Sequence, residues 1–273
     1  MKKEVTILMI SLLIAGVSGL TACRQKPAVK QQKKIEIQTV DTIKKNIESN
    51  VYPLPTSAEV IKMLTDLEVG YIFGISNPKE NARKYFSSSA RAINMGVYGA
   101  DLSYATLYNI QQGVIDYMDA IKSLADELNM SQIYDKSLYD RIKQNFDNRD
   151  ELVKILTDAF NNTYKYLADN NQQTLALLVV GGAWVEGMYL TTHVSEAAYQ
   201  VAGISKNLLE QKKSFDLFME ISKPYLNDHS VADFVNTLEP VRKVYEVLGT
   251  SLSEQNIKDI TKAMEQVRTQ IVQ

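Results

Sequence analysis

The chain has 273 residues, a net charge of -2, 45% hydrophobic and 23% charged residues, and one cysteine. That composition belongs to a globular chain: too apolar for a disordered one, without the basic excess that nucleic-acid binding needs, and unable to form an internal disulfide. With two histidines, imidazole-rich metal or triad chemistry has few residues to use.

The chain opens with Lys2 and Lys3 and an apolar run through Ile7, Leu8, Met9, Ile10, Leu12, Leu13 and Ile14. This is the two-part layout of a secretion signal, too short and too glycine-broken for a retained membrane span. Leu20-Thr21-Ala22-Cys23 follows and resembles the lipobox of bacterial lipoproteins. The resemblance implies cleavage before Cys23, acylation of its thiol and new amine, and a firm anchor in place of the marginal hold of one chain. Residues 1–22 then form the signal and residues 23–55 a lipidated tether. Arg24 to Lys45 holds seven basic residues against Glu36 and Asp41, a net +5. Subtracting it and the signal's +1 from -2 leaves -8 for the remainder. A basic tether and an acidic body suit an anionic membrane surface with the body held off it. Arg24-Gln25-Lys26 lacks the acidic residues that mark surface export or inner-membrane retention, which directs the protein to the periplasmic face of the outer membrane.

From residue 56 to 273 the pattern is helical and the expected fold class is all-α, a helical bundle. Thr56 and Glu59 form a capping box for a helix to about Phe73, and Asn77-Pro78 with Glu80 opens another that continues in pieces to Asn109. Further helices are expected over Ile110–Leu128, Ser137–Phe146, Asp150–Ala168, Thr174–Tyr199, Ser205–Leu226, Val231–Leu248 and Glu254–Val272. Gly249 is placed as a C-cap and Ser253 as the next N-cap. The apolar run Leu175 to Leu190 reads as a buried helix and Trp184 as core, while His229 beside Ser230 reads as a helix start.

Two resemblances suggest an internal repeat, residues 56–148 and 149–237, followed by a C-terminal helix. Glu59 to Asp66 matches Glu151 to Asp158 at an offset of 92. Gly96, Asp101, Tyr104 and Thr106 match Gly181, Glu186, Tyr189 and Thr191 at an offset of 85, under the pattern G-x4-[DE]-x2-Y-x-T.

That second match is also the candidate site. Asp101 is the only charged residue between Arg91 and Asp116, and Glu186 the only one between Asp169 and Glu196. Helical spacing stacks Asp101, Tyr104 and Tyr108 on one face, and Glu186, Tyr189 and His193 on the other unit's face, with Glu196 at its edge. Two readings stand. The carboxylates are buried groups satisfied by neighbouring tyrosines or a helix terminus, the commoner fate, or they share a proton or hold a small ligand or divalent cation with His193. His193-Val194-Ser195-Glu196 resembles the end of the G-x-H-x-x-E motif of imelysin-like periplasmic helical proteins, which also contain a duplicated bundle. Thr191 stands where that motif has glycine, and no family site is carried across.

There is no P-loop, strand-associated G-x-G-x-x-G, H-E-x-x-H, G-x-S-x-G or C-x-x-C, and no cofactor is implied. The expected function is a non-enzymatic, lipid-anchored module that binds an envelope protein. The alternative is a small-ligand or cation-binding protein, with enzyme activity left open. The expected partners are the membrane, through Cys23, and an unidentified envelope component or small ligand.

Overall fold

A computed structural model describes residues 70–194 and 204–273, with the side chains of Val194 and Ile204 excepted. The described residues form an all-α bundle without strands. The signal, the tether, the expected helix as far as residue 69 and Glu196 lie outside them; residues 70–73, expected to end that helix, are not helical.

The helices are α1 Ser88–Leu107, α2 Gln111–Glu127, α3 Lys136–Gln144, α4 Arg149–Asp169, α5 Gln173–Val194, α6 Ile204–Ser222, α7 His229–Thr237, α8 Glu239–Glu246 and α9 Glu254–Val272. Two short 3-10 turns, Lys79–Lys84 and Lys223–Tyr225, accompany them. Several N-termini carry side-chain caps, among which Ser253 is the one expected from the sequence. Ser87 accepts the Ala90 amide at 3.1 Å, Asp135 that of Leu138 at 2.9 Å, and Asp228 those of Ser230 and Val231. Ser253 and Asn256 form a reciprocal capping box at the start of α9.

The C-termini depart from expectation. Gly249 is not a cap; α8 ends at Glu246 with Val247 as its C-cap, and among the described residues the glycine with a left-handed backbone is Gly74. Asparagine does the work elsewhere: Asn109, Asn129 and Asn171 take φ of 54°, 61° and 58°. At each, the following amide reaches back to the carbonyl five residues earlier: Ile110 to Ala105, Met130 to Ala125, and Gln172 to Leu167, all within 2.9 Å. These are Schellman closures with asparagine at the left-handed position. The helix expected over Val231–Leu248 is two, because Pro240 supplies no amide and the chain restarts at Glu239. The helix expected over Ser205–Leu226 stops at Ser222 and tightens into the second 3-10 turn.

α1 and α5 form the centre. Both are apolar nearly all round, so neither has a solvent face, and both are buried by their neighbours. α5 is long and apolar enough to cross a membrane, but 83% of its apolar window is buried inside the protein, as a core helix requires. The two helices run parallel. A methyl group on Gly96 would collide with the Val179 carbonyl and the Ala183 amide of α5, and one on Gly182 with the Ile93 carbonyl of α1. Both glycines therefore permit backbone-to-backbone approach. Touching residues differ in number by 83 to 89, and Asp101 and Glu186 meet at 85. That is the offset of the G-x4-[DE]-x2-Y-x-T pattern. The pattern's glycines are not equivalent, however, since Gly181 makes room for the rings of Phe234 and Phe218. Around this pair, α2 packs on α1, α4 on both, α7 on α5, and α9 on α5, α8 and α1.

Candidate functional site

Close packing of α1 on α5 decides where their two acidic residues go. Asp101 and Glu186 are both fully buried, and their carboxyl groups are within hydrogen-bonding reach of each other. A third charge joins them from α9. The Arg268 guanidinium grips Glu186 with both arms, Nε to Oε2 at 3.0 Å and Nη2 to Oε1 at 3.1 Å. The same Nη2 reaches the Ile75 carbonyl at 3.4 Å, and the guanidinium lies 4.4 Å over the Tyr189 ring.

The chain before α1 closes the cluster. The Asn77 amide donates to Asp101 Oδ2 at 3.0 Å, and Asn77 Nδ2 to the Tyr85 hydroxyl at 3.0 Å. The Tyr85 hydroxyl donates in turn to the Val272 carbonyl at 3.2 Å, while Asn94 Nδ2 donates to that of Ile271 at 2.8 Å. Two carbonyls in the last turn of α9 are thus held by residues 85 and 94. Besides the Asn77 amide, the buried Ser76 hydroxyl and the Glu186 carboxyl lie next to Asp101.

Burial pushes the Asp101 carboxyl well above the usual carboxylate range, and the facing Glu186 pushes it further; Arg268, the Asn77 amide and the Ser76 hydroxyl oppose this. Glu186 is raised too, again chiefly by burial, with Arg268 as the main opposing influence. Two carboxyl groups against one guanidinium in a dry site favour a state in which one carboxyl keeps its proton.

Of the residues singled out from sequence, Asp101 and Glu186 come together directly. The Tyr189 and His193 rings lie 3.9 Å apart, tilted by 37°, and join Arg268 through the Tyr189 ring. His193 Nδ1 lies 2.9 Å from the Tyr189 carbonyl, a satisfied histidine one turn along α5. Tyr104 and Tyr108 group instead with Tyr71 and Phe73. Tyr71 stacks on Tyr104 at 4.8 Å, and the Tyr104 hydroxyl accepts the Ile72 amide at 2.8 Å. Trp184 is core, its indole donating to Gln211. Sequence reasoning missed Arg268, Asn77 and Tyr85. Arg268 had a signal: in α9 the buried positions Ile257, Ile260, Met264 and Val267 mark one face, and Arg268, four residues beyond Met264, falls on it. Asn77 acts through a backbone amide, which no side-chain pattern reveals.

The geometry limits the chemistry. Both Glu186 oxygens are occupied by Arg268, so a cation shared by Asp101 and Glu186 would have to displace a guanidinium. Among the described residues no group of three or more acidic, histidine or cysteine side chains is arranged to hold a metal ion. A cavity of about 20 Å³ between α1, α2, α4 and α5, lined by Met95, Leu102, Met118 and Phe160, does not include the carboxyl pair.

Fold and site together define a class: an all-α bundle whose central parallel helices are pinned to the C-terminal helix by a buried Asp–Glu–Arg cluster. Comparison with protein-family models, curated proteins and solved structures finds no match for this chain.

Proposed function

We propose that this protein is a lipid-anchored helical module of the cell envelope that binds an envelope protein rather than catalysing a reaction. The observation that carries the reading is the sealing of the Asp101–Glu186–Arg268 cluster. Its acids are fully buried, and its charges and most of its hydrogen bonds are taken up within the chain. Such a cluster joins helices and leaves no free base or nucleophile facing a substrate. The signal-like start, Cys23 and the basic tether support an anchored position on the periplasmic face of the outer membrane. The alternative, a small ligand or divalent cation at this cluster, would have to open the core and break the Arg268 fork.

The test uses the full chain expressed with its own signal in native envelopes, followed by cross-linking and purification beside an unrelated lipidated control. Enrichment of a defined envelope protein, retained when Asp101 is replaced by asparagine, is the expected result. Enrichment of nothing above the control, together with a stoichiometric metal or small molecule that native mass spectrometry finds in wild type and not in the Asp101→Asn protein, would replace the reading with the alternative.

A further inference from the structure

Asp101 and Glu186 are both fully buried and in contact, and a single guanidinium, that of Arg268, faces the two carboxyl groups. Glu186 has both oxygens on Arg268, and Asp101 has Oδ2 on the Asn77 amide, with the buried Ser76 hydroxyl and the Glu186 carboxyl beside it. Two ionised carboxylates cannot bond each other, and a second buried anion against one guanidinium is costly. We infer that Asp101 and Glu186 share one proton in the folded protein, and that this proton closes a clasp joining the entry segment 72–85, α1, α5 and α9. With it the cluster is neutral, one guanidinium against one carboxylate; without it the cluster holds an excess negative charge with no solvent to screen it.

What the clasp holds follows from its bonds. Residues 72–85 reach it through the Asn77 amide, the Ile75 carbonyl and Tyr85, and the end of α9 through Arg268, Ile271 and Val272. Loss of the proton therefore loosens the entry segment and the C-terminal turns of α9 together, and the entry segment is the part through which the body is joined to the preceding chain.

The other titratable and charged groups around the pair are Tyr71 and Tyr85 from the entry segment, Tyr98 and Tyr104 from α1, Tyr117 from α2, Tyr189 and His193 from α5, and Glu265 and Arg268 from α9. The six tyrosines are all pushed upward by burial, which keeps them neutral across the range where carboxyl groups titrate. The pair's proton is released by the unfolded chain near the ordinary aspartate value of 3.8 and kept by the folded one to a higher pH. Bound protons are then more numerous in the folded state, so stability is fully present below that window, falls as pH rises through it, and levels off once the pair ionises.

Asparagine at position 101 mimics the protonated acid. Its Oδ1 accepts from Asn77 and its Nδ2 donates to Glu186, with no proton to lose. The experiment follows amide exchange of Ile72, Asn77 and α9 against pH in the full mature chain, corrected for the intrinsic pH dependence of exchange. It is paired with difference infrared spectroscopy for the carbonyl stretch of a protonated carboxylic acid. Wild type should show that band at neutral pH and lose protection of both segments together as it disappears; Asp101→Asn should lack the band and keep its protection, and His193→Gln should behave as wild type. Absence of the band in wild type, a wild-type protection that does not change with pH, or loss of the pH dependence in His193→Gln would each overturn the inference. The wild-type band is read without any variant, so a failure of Asp101→Asn to fold leaves the test intact.

Discussion

At the scale of single residues, the centre of the molecule depends on two absent side chains and one present charge. Gly182 lets α5 touch the α1 backbone, and Gly182→Ala would drive a methyl group into the Ile93 carbonyl, an obstacle that cannot rotate away. A cost of about 3 kcal/mol is expected, at the upper end for overpacking because backbone must shift, and urea unfolding of the variant measures it. Gly99, three residues along α1 from Gly96, has open space around it, and Gly99→Ala should be close to neutral in the same assay. If both variants lose the same stability, the close approach is not what Gly182 supplies. Arg268→Met removes the cation and strands Glu186 in the core; losses from breaking buried pairs run to about 3–5 kcal/mol. Arg268→Lys keeps the charge but not the fork, so it should fall between the two and recover less than full stability. A methionine variant as stable as wild type would mean that the ion pair contributes nothing to holding α9.

At the scale of elements, what could be read from the sequence was what side chains announce locally. Helical periodicity, the Ser253 cap and the limits of α9 are all written in short-range pattern, and so was the isolation of Asp101 and Glu186 in apolar stretches. The breaks were less visible. Asparagine can end a helix by adopting a left-handed backbone, but its side chain also caps starts and decorates surfaces, so Asn109, Asn129 and Asn171 did not stand out as glycine would. The third charge of the cluster was hidden by distance: Arg268 lies 82 residues from Glu186 in sequence, and nothing local links them. Two variants separate these terminal devices. Ser253→Ala deletes the hydroxyl of the capping box and should cost about 1 kcal/mol. Asn171→Ala keeps the turn between α4 and α5 but places alanine at φ 58°, where a left-handed β-carbon costs about 1–2 kcal/mol. Thermal unfolding reads both, and because the sites share no partner, the double variant should show the sum. A double loss well below that sum would mean that the two helix ends communicate through the core.

At the scale of the whole molecule, the body and its attachment are separable problems. Every bond of the clasp lies at residue 72 or beyond, whereas the proposed attachment resides at Cys23, and no contact described for the body requires it. Fold and membrane association should therefore respond to different changes. Mass analysis of the N-terminal peptide of wild type extracted from membranes should find it beginning at Cys23 and carrying acyl chains. A second form, with an ordinary cleavable secretion signal in place of residues 1–22 and Cys23→Ala, should be released in soluble form with an unchanged thermal melt, because it loses the anchor and nothing the core uses. The basic tether remains in that form, so any residual binding should weaken with added salt, as contacts between lysines and anionic headgroups do. A wild-type peptide that begins elsewhere and carries no lipid would remove the anchor from the account and leave the clasp untouched. A soluble form that melts lower would show instead that the lipid end of the chain contributes to the core.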